Sequence, residues 1–393
     1  MTSLTPPEPT EPPEVREEYF NNEPMGIEVE KEADDENPDI ARPWNPEQIR
    51  VNTKQFSLRN ILDLIDDDAS LELAPDFQRN QVWNHGQKSR LIESVLLQIP
   101  LPAFYFAEDA DGRMRVVDGL QRLSTIHDFV RGGTTSGFHL KGLEYLGEAV
   151  EGKRFEDLPA PWKRRLHNTQ IIAHVIDPTT PPDVMYDIFK RINTGGTPLN
   201  AQEIRHCMSR DRSRRILKEM TSTAAFNEAT NNLGGHRRMN DREMALRFAA
   251  FWLDGPEGYR RVAAMDPFLQ KATAKLDSPE EVDDAQVAAL QDDFAKAMRN
   301  ARLVFGDHAF RKWSLGADWR LPINRALFEV WAITLARYEQ ADLQRRKQAI
   351  VDTARKLMTE DYIYLDAITT STGGITKVFY RFEKTAHAAE AGR

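Results

Sequence analysis

Cysteine is nearly absent. The single thiol, Cys207, excludes an internal disulfide and a zinc site built on several thiolates. No apolar run approaches the ~18 residues needed to cross a bilayer. The first residues lack the basic start and apolar stretch of a targeting signal. A soluble, cytoplasmic protein without membrane partners is the expectation.

An excess of positive charge is also missing. The chain of 393 residues carries 52 Lys+Arg against 61 Asp+Glu, a formal net charge of −9. Taken whole, that balance argues against a nucleic-acid partner, whose footprint is basic. The deficit is local, however. Residues 1–50 hold 14 acidic and 4 basic residues together with 9 of the 22 prolines, which leaves 47 acidic and 48 basic residues in the body. Prolines remove backbone donors and like charges repel, so residues 1–50 read as a disordered, acidic, Pro-rich tail.

The body divides by pattern. Residues 57–66 place Leu58, Ile61, Leu62 and Ile65 at helical spacing, and residues 88–98 do the same before Pro100 and Pro102. Between them lies a short strand, LEL. Residues 103–107 and 113–117 read as strands around an Asp-Gly turn, 169–176 as a further strand and 183–192 as a further helix. The fold class expected for 51–200 is therefore α+β, a small mixed sheet with helices. Helical periodicity then dominates, over 200–219, 240–253, 283–304, 322–339 and 341–358. This gives an all-helical domain over 201–385, with 386–393 as a flexible C-terminus. No repeat of solenoid or propeller period is present.

The segment MRVVDGLQRLSTIHDF, residues 114–129, carries the strongest chemical signal. An apolar strand ends at Asp118, Gly119 turns the chain, and a helix starts at once. Such a junction offers unpaired N–H groups and the positive end of the helix dipole to an anion. Gly119 permits close backbone approach. Arg122 can add a charge-assisted fork to the same phosphate, and Ser124 and Thr125 can add hydroxyl donors. Asp118 can orient Arg122 or hold a hydrated Mg²⁺. The alternative is a plain strand–helix turn with an Asp cap and a surface arginine.

Two further segments stand out. In PDFQRNQVW, Gln78 and Arg79 sit between the aromatic anchors Phe77 and Trp83, leaving a guanidinium for a phosphate or base, or simply solvated. In FKRINTGGTPLNAQE, a helix ends near Asn193, and Gly195 and Gly196 free the backbone. Asn200 can then cap the next helix, with Glu203 completing a capping box.

PDFQRNQVW, RLIESVLLQIPLPAFYF, VVDGLQRLSTI and FKRINTGGTPLNAQE, in this order, resemble the GmrSD-type restriction endonuclease N-terminal domain, a family related to the ParB/sulfiredoxin fold. Its signature, Asp-Gly-Gln-Gln-Arg, is matched at Asp118, Gly119, Gln121 and Arg122 and departs at Leu120, which therefore carries no essential polar role. The resemblance implies binding and hydrolysis of a nucleotide triphosphate, coupled to recognition or cleavage of foreign DNA. Asp118, Gln121 and Arg122 become the catalytic candidates, with Mg²⁺ at Asp118. Gln78, Arg79, Gly119, Ser124, Thr125 and Asn193 become the nucleotide-binding ones. The cysteine of the sulfiredoxin branch has no counterpart in this turn, and Cys207 reads as a structural thiol.

Family members often add an HNH nuclease, marked by His-x-x-Pro. None of the nine histidines here is followed by proline at the third position, so a separate nuclease subunit is an implied partner. Residues 205–260 are rich in arginine. Arg212, Arg215, Arg237 and Arg238 are the weak candidates for DNA phosphates, with a solvated surface as the plainer reading. Two functions follow: an NTP-hydrolysing, DNA-directed defence protein, or a non-catalytic nucleotide- or DNA-binding regulator on the same fold. On the first, Arg122→Ala is expected to abolish turnover without lowering the melting temperature.

Overall fold

The computed structural model describes residues 15–20, 22–30, 49–66, 70–73, 83–109, 111–132, 137–192, 199–317 and 319–393. These form two compact units, one of Arg42–Met208 and one of Met1–Ala41 with Ser209–Arg393.

The N-terminal part of the second unit opens with strands β1 (Glu17–Phe20) and β2 (Glu23–Glu28), an antiparallel hairpin. The sheet unit then runs β3 (Val51–Ser57), α1 (Leu58–Asp66), β4 (Leu71–Glu72), α2 (His85–Leu96), β5 (Phe104–Glu108), β6 (Met114–Asp118) and α3 (Leu120–Arg131). It continues with α4 (Gly147–Val150), α5 (Ala160–Asn168), β7 (Gln170–Ile176), α6 (Pro182–Ile192) and α7 (Ala201–Met208). Its five strands lie in the order β3-β7-β5-β6-β4. β3–β7 and β5–β6 pair antiparallel, and β7–β5 and β6–β4 pair parallel, so the sheet is mixed, as the α+β pattern implied.

Alternation along the strands sorts side chains between the two faces. Phe104, Phe106, Val116, Ile171, Ala173 and Val175 join Leu58, Ile61, Ile92, Val95, Leu123, Ile126 and Phe129 in one core beneath α1, α2 and α3. Ala107, Val117 and Ile176 face the other way, against Tyr186, Phe189, Ile204 and Cys207 of α6 and α7. Cys207, the single cysteine, is buried and in no disulfide. β3 gives no apolar alternation because it is an edge strand whose residues 51–55 are exposed. Its full pairing with β7, from Val51↔Ile176 to Ser57↔Gln170, defines it instead.

The helical unit comprises α8 (Asp211–Thr221), α9 (Ala224–Thr230), α10 (Asn240–Val262), α11 (Met265–Asp277), α12 (Asp284–Phe305), α13 (Arg325–Leu335), α14 (Gln340–Glu360), α15 (Tyr362–Ala367) and α16 (Ile375–Ala389). The periodic stretch 200–219 is two helices. α7 stops at Met208, and the backbone N–H groups of Arg210 and Ser213 donate to Asp277, at 2.9 Å each, to start α8. α10 breaks at Gly255 (φ 63°), just before Pro256, where a continuous helix would need a donor that proline lacks. Among the described residues, no helix is long and apolar enough to cross a membrane.

Both chain ends depart from the expectation of free tails. Residues 15–30 are ordered: Ile27 is fully buried in the helical core, and Glu28 is buried against Lys312 at 2.6 Å. Glu18 reaches Arg325 at 2.7 Å and Glu30 reaches Arg247 at 2.8 Å. The acidity that read as self-repulsion supplies counterions to buried cations. The remainder of the acidic segment, 1–14, 21 and 31–48, lies outside the described residues. At the C-terminus, α16 extends through Ala389, which is buried and whose carbonyl accepts from Arg346 Nη1 at 2.6 Å, so 386–393 is not a free tail.

Candidate anion site at the strand–helix junction

β6 delivers Asp118 to the edge of the core, and α3 begins two residues later. Gly119 between them has φ +96°, the left-handed region that glycine tolerates without strain. A Cβ there would stand 2.3 Å from Cδ1 of Phe104. Glycine is thus required twice, by the backbone angle and by the phenyl ring packed under it. No side chain caps α3, and its first intrahelical bond runs from Leu123 N–H to Gly119 C=O at 2.9 Å. The N–H groups of the first turn keep the positive end of the helix available to an anion.

Arg122 occupies that first turn. Its Nη2 donates to Asp118 Oδ2 at 3.0 Å and to the Ala103 carbonyl at 3.3 Å, while Nη1 donates to the Pro102 carbonyl. The guanidinium lies 4.3 Å above the centroid of Phe104, which is fully buried. Burial pulls the Arg122 pKa below its ordinary value, and the adjacent Asp118 carboxylate offsets part of that pull. A guanidinium has five N–H donors, and these partners use three of them. Arg122 is therefore first a clamp joining the start of β5, the end of β6 and the start of α3, with donors left for a phosphate. Phe104 and the 102–103 carbonyls were not apparent from sequence. The AFYFA alternation marks a strand, but nothing local tells which ring will lie under the glycine.

The other candidates spread out from this centre. Gln121 is half-buried in the same turn, and Leu120 packs against the apolar core, in keeping with a position that needs no polar group. Ser124 is 9 % exposed and Thr125 2 %, so both face the interior side of α3. Gln78, Arg79 and Asn193 lie outside the described residues. Asn200 and Glu203 do form the expected capping box, with Glu203 N–H to Asn200 Oδ1 at 2.8 Å and Asn200 N–H to Glu203 Oε2 at 2.7 Å. Arg115 ties α7 to the sheet by donating to the Met208 carbonyl at 2.8 Å and pairing with Asp109.

Asp118 is the position expected to hold a hydrated Mg²⁺. Its carboxylate already faces a guanidinium, and no group of three or more His, Cys, Asp or Glu side chains fit to hold a metal occurs among the described residues.

The arginine-rich stretch resolves into internal partners. Arg212 donates to the Leu276 carbonyl at 2.6 Å and to Asp284 at 2.9 Å. Arg237 pairs with Glu23 at 2.8 Å and Arg238 stacks over Phe20, so these two hold the N-terminal hairpin. Arg215 alone of the four candidates has only a long surface contact, 3.9 Å to Glu219. Sequence proximity grouped residues whose guanidiniums serve different elements.

Compared with known proteins, residues 58–208 match the family model of the GmrSD restriction endonuclease, N-terminal domain. That span covers α1 through α7 and includes the whole junction around Gly119. No curated protein and no solved structure matches the chain.

Proposed function

From the match of residues 58–208 to the GmrSD restriction endonuclease N-terminal domain, we propose that this chain is a DNA-directed protein of the restriction or phage-defence type that binds and hydrolyses a nucleotide triphosphate at the Gly119 junction. The observation that carries the nucleotide reading is the uncapped start of α3 behind a glycine whose positive φ and packing on Phe104 disfavour any side chain, with a fixed guanidinium beside it. The first-turn N–H groups hold the phosphates and the remaining Arg122 donors add charge. Gln121, in the same turn, orients the attacking water, and Asp118 keeps Arg122 in register. The sequence resemblance adds Gln78, Arg79 and Asn193 as further candidates for nucleotide contact. Mg²⁺ enters with the triphosphate and neutralises its charge. Cleavage of DNA belongs to a partner subunit.

The test is phosphate release from a panel of nucleotides by the full chain, with and without DNA. The geometry changes which variant decides it. Arg122 bonds two backbone carbonyls, so Arg122→Ala lowers stability as well as activity, and Gln121→Ala is the cleaner probe. The second reading, a regulator that binds nucleotide without turnover, is favoured by one observation: the Asp118 carboxylate is occupied by Arg122. It requires nucleotide to raise the melting temperature with no phosphate released.

A further inference from the structure

The helical unit contains an open cavity of about 490 Å³, in the range of small-molecule sites. Its walls come from the start of β2 (Glu23 to Gly26), the loop that follows α9, and the segment before α13. Three arginines line it: Arg237, Arg311 and Arg320. Arg237 is neutralised by Glu23. Among the described residues, neither of the other two has a carboxylate partner.

Arg311 is only 6 % exposed, yet its partners are carbonyls alone, Ala309 at 2.8 Å from Nη1 and Thr230 at 3.2 Å from Nη2. Its Nε is buried without an acceptor. Asp307, whose charge offsets part of the burial of Arg311, makes its ion pair with Arg302. Burial, with Arg320 nearby, brings the Arg311 pKa down to about 10, so it stays charged at neutral pH. Arg320 is exposed and rests against the Asn231 side-chain amide, which satisfies it when the amide is turned so that its oxygen accepts at 2.8 Å and 3.2 Å. Elsewhere in this unit buried guanidiniums meet carboxylates, as Arg247 and Arg381 both meet Glu329. A buried cation left without a counterion is costly unless something supplies one. Glu17 also lines the cavity, but its carboxylate accepts from the Gly26 N–H at 2.6 Å.

We infer that this cavity is a second ligand site, which takes a small phosphorylated molecule whose phosphoryl oxygens bridge Arg311 and Arg320. The guanidinium forks match phosphoryl oxygens, and Asn231 holds Arg320 toward the opening. The hairpin supplies one wall, so ligand binding also fastens residues 23–26 to the helices. This site is independent of the Gly119 junction and of the activity proposed there.

Inorganic pyrophosphate is the probe, titrated calorimetrically into the full chain carrying Arg122→Ala, which weakens the junction site. Saturable binding is expected, with Kd below about 1 mM. Adding Arg320→Ala, an exposed change that leaves the unliganded melting temperature in place, is expected to weaken it at least tenfold. Arg311→Lys, which keeps the charge and loses the fork, is expected to weaken it as well. No saturable binding in the Arg122→Ala protein, or equal binding after Arg320→Ala, overturns the inference. Displacement of pyrophosphate by a short DNA duplex, dependent on Arg320, would overturn the small-molecule assignment in favour of a nucleic-acid phosphate.

Discussion

Arginine meets carboxylate in two contrasting ways in this molecule. At the junction in the sheet unit, one pair, Arg122–Asp118, sits half-exposed beside an uncapped helix end. In the helical unit, Arg247, Arg325, Arg381 and Lys312 are buried among Glu18, Glu28, Glu30, Glu243 and Glu329. The first arrangement leaves donors over and a dipole unanswered, which suits binding. The second pairs nearly every charge internally, which suits holding an N-terminal hairpin in one place. Both use the same residue types, and what separates them is the number of unanswered groups after folding.

The contrast can be broken from the buried side first. Arg247→Ala removes the cation shared by Glu30, Glu243 and Glu329 and leaves only Arg325 and Arg381 to offset them, at an expected cost of about 3–5 kcal/mol in chemical denaturation. A loss below about 1 kcal/mol would mean that water reaches the cluster.

Gly119→Ala is next. The positive φ and the approach to Phe104 together are expected to cost about 2–3 kcal/mol, visible as a lowered denaturation midpoint of the sheet unit. Wild-type stability would show that the turn can rearrange.

Arg122→Ala should follow at about 1–3 kcal/mol, from lost hydrogen bonds to Asp118 and the 102–103 carbonyls. Arg122→Lys cannot span these acceptors and is expected to recover only part of the loss.

The smallest effect is electrostatic and graded. Burial pushes the Glu30 pKa up, but Arg247 and Arg325 outweigh it and hold the carboxyl below its ordinary value. A depressed folded-state pKa gives stability that is present above the unfolded value and lost as pH falls through the folded one. The hairpin should therefore loosen only in acid, with proteolysis near residues 21–30 rising as pH drops below the carboxylate range. Glu30→Gln should remove that pH dependence, and an unchanged acid profile would assign it to other carboxylates.

These regions also differed in how far the sequence disclosed them. The junction was legible because its determinants are contiguous: an apolar strand, Gly119 and the start of α3 follow one another within ten residues. The capping box of Asn200 and Glu203 was legible for the same reason. The hairpin was not, because composition counts charges without their partners. Glu28 meets Lys312, 284 residues away, and no local pattern separates a counterion from a solvating acid. The polar edge strand β3 and the Phe104 ring under Gly119 were hidden likewise, since pairing and packing across the sheet define them. The arginine stretch, contiguous in sequence, is distributed by the fold among Asp284, Glu23 and Phe20.

The central claim is that the Gly119 junction turns over a nucleotide triphosphate. Steady-state phosphate release by the full chain, for wild type and Gln121→Ala at matched melting temperature, tests it most directly. Wild type should release phosphate in the presence of Mg²⁺, with Gln121→Ala reduced roughly 10²-fold or more. Absence of release by wild type across all nucleotides, or equal rates in the variant, would contradict it.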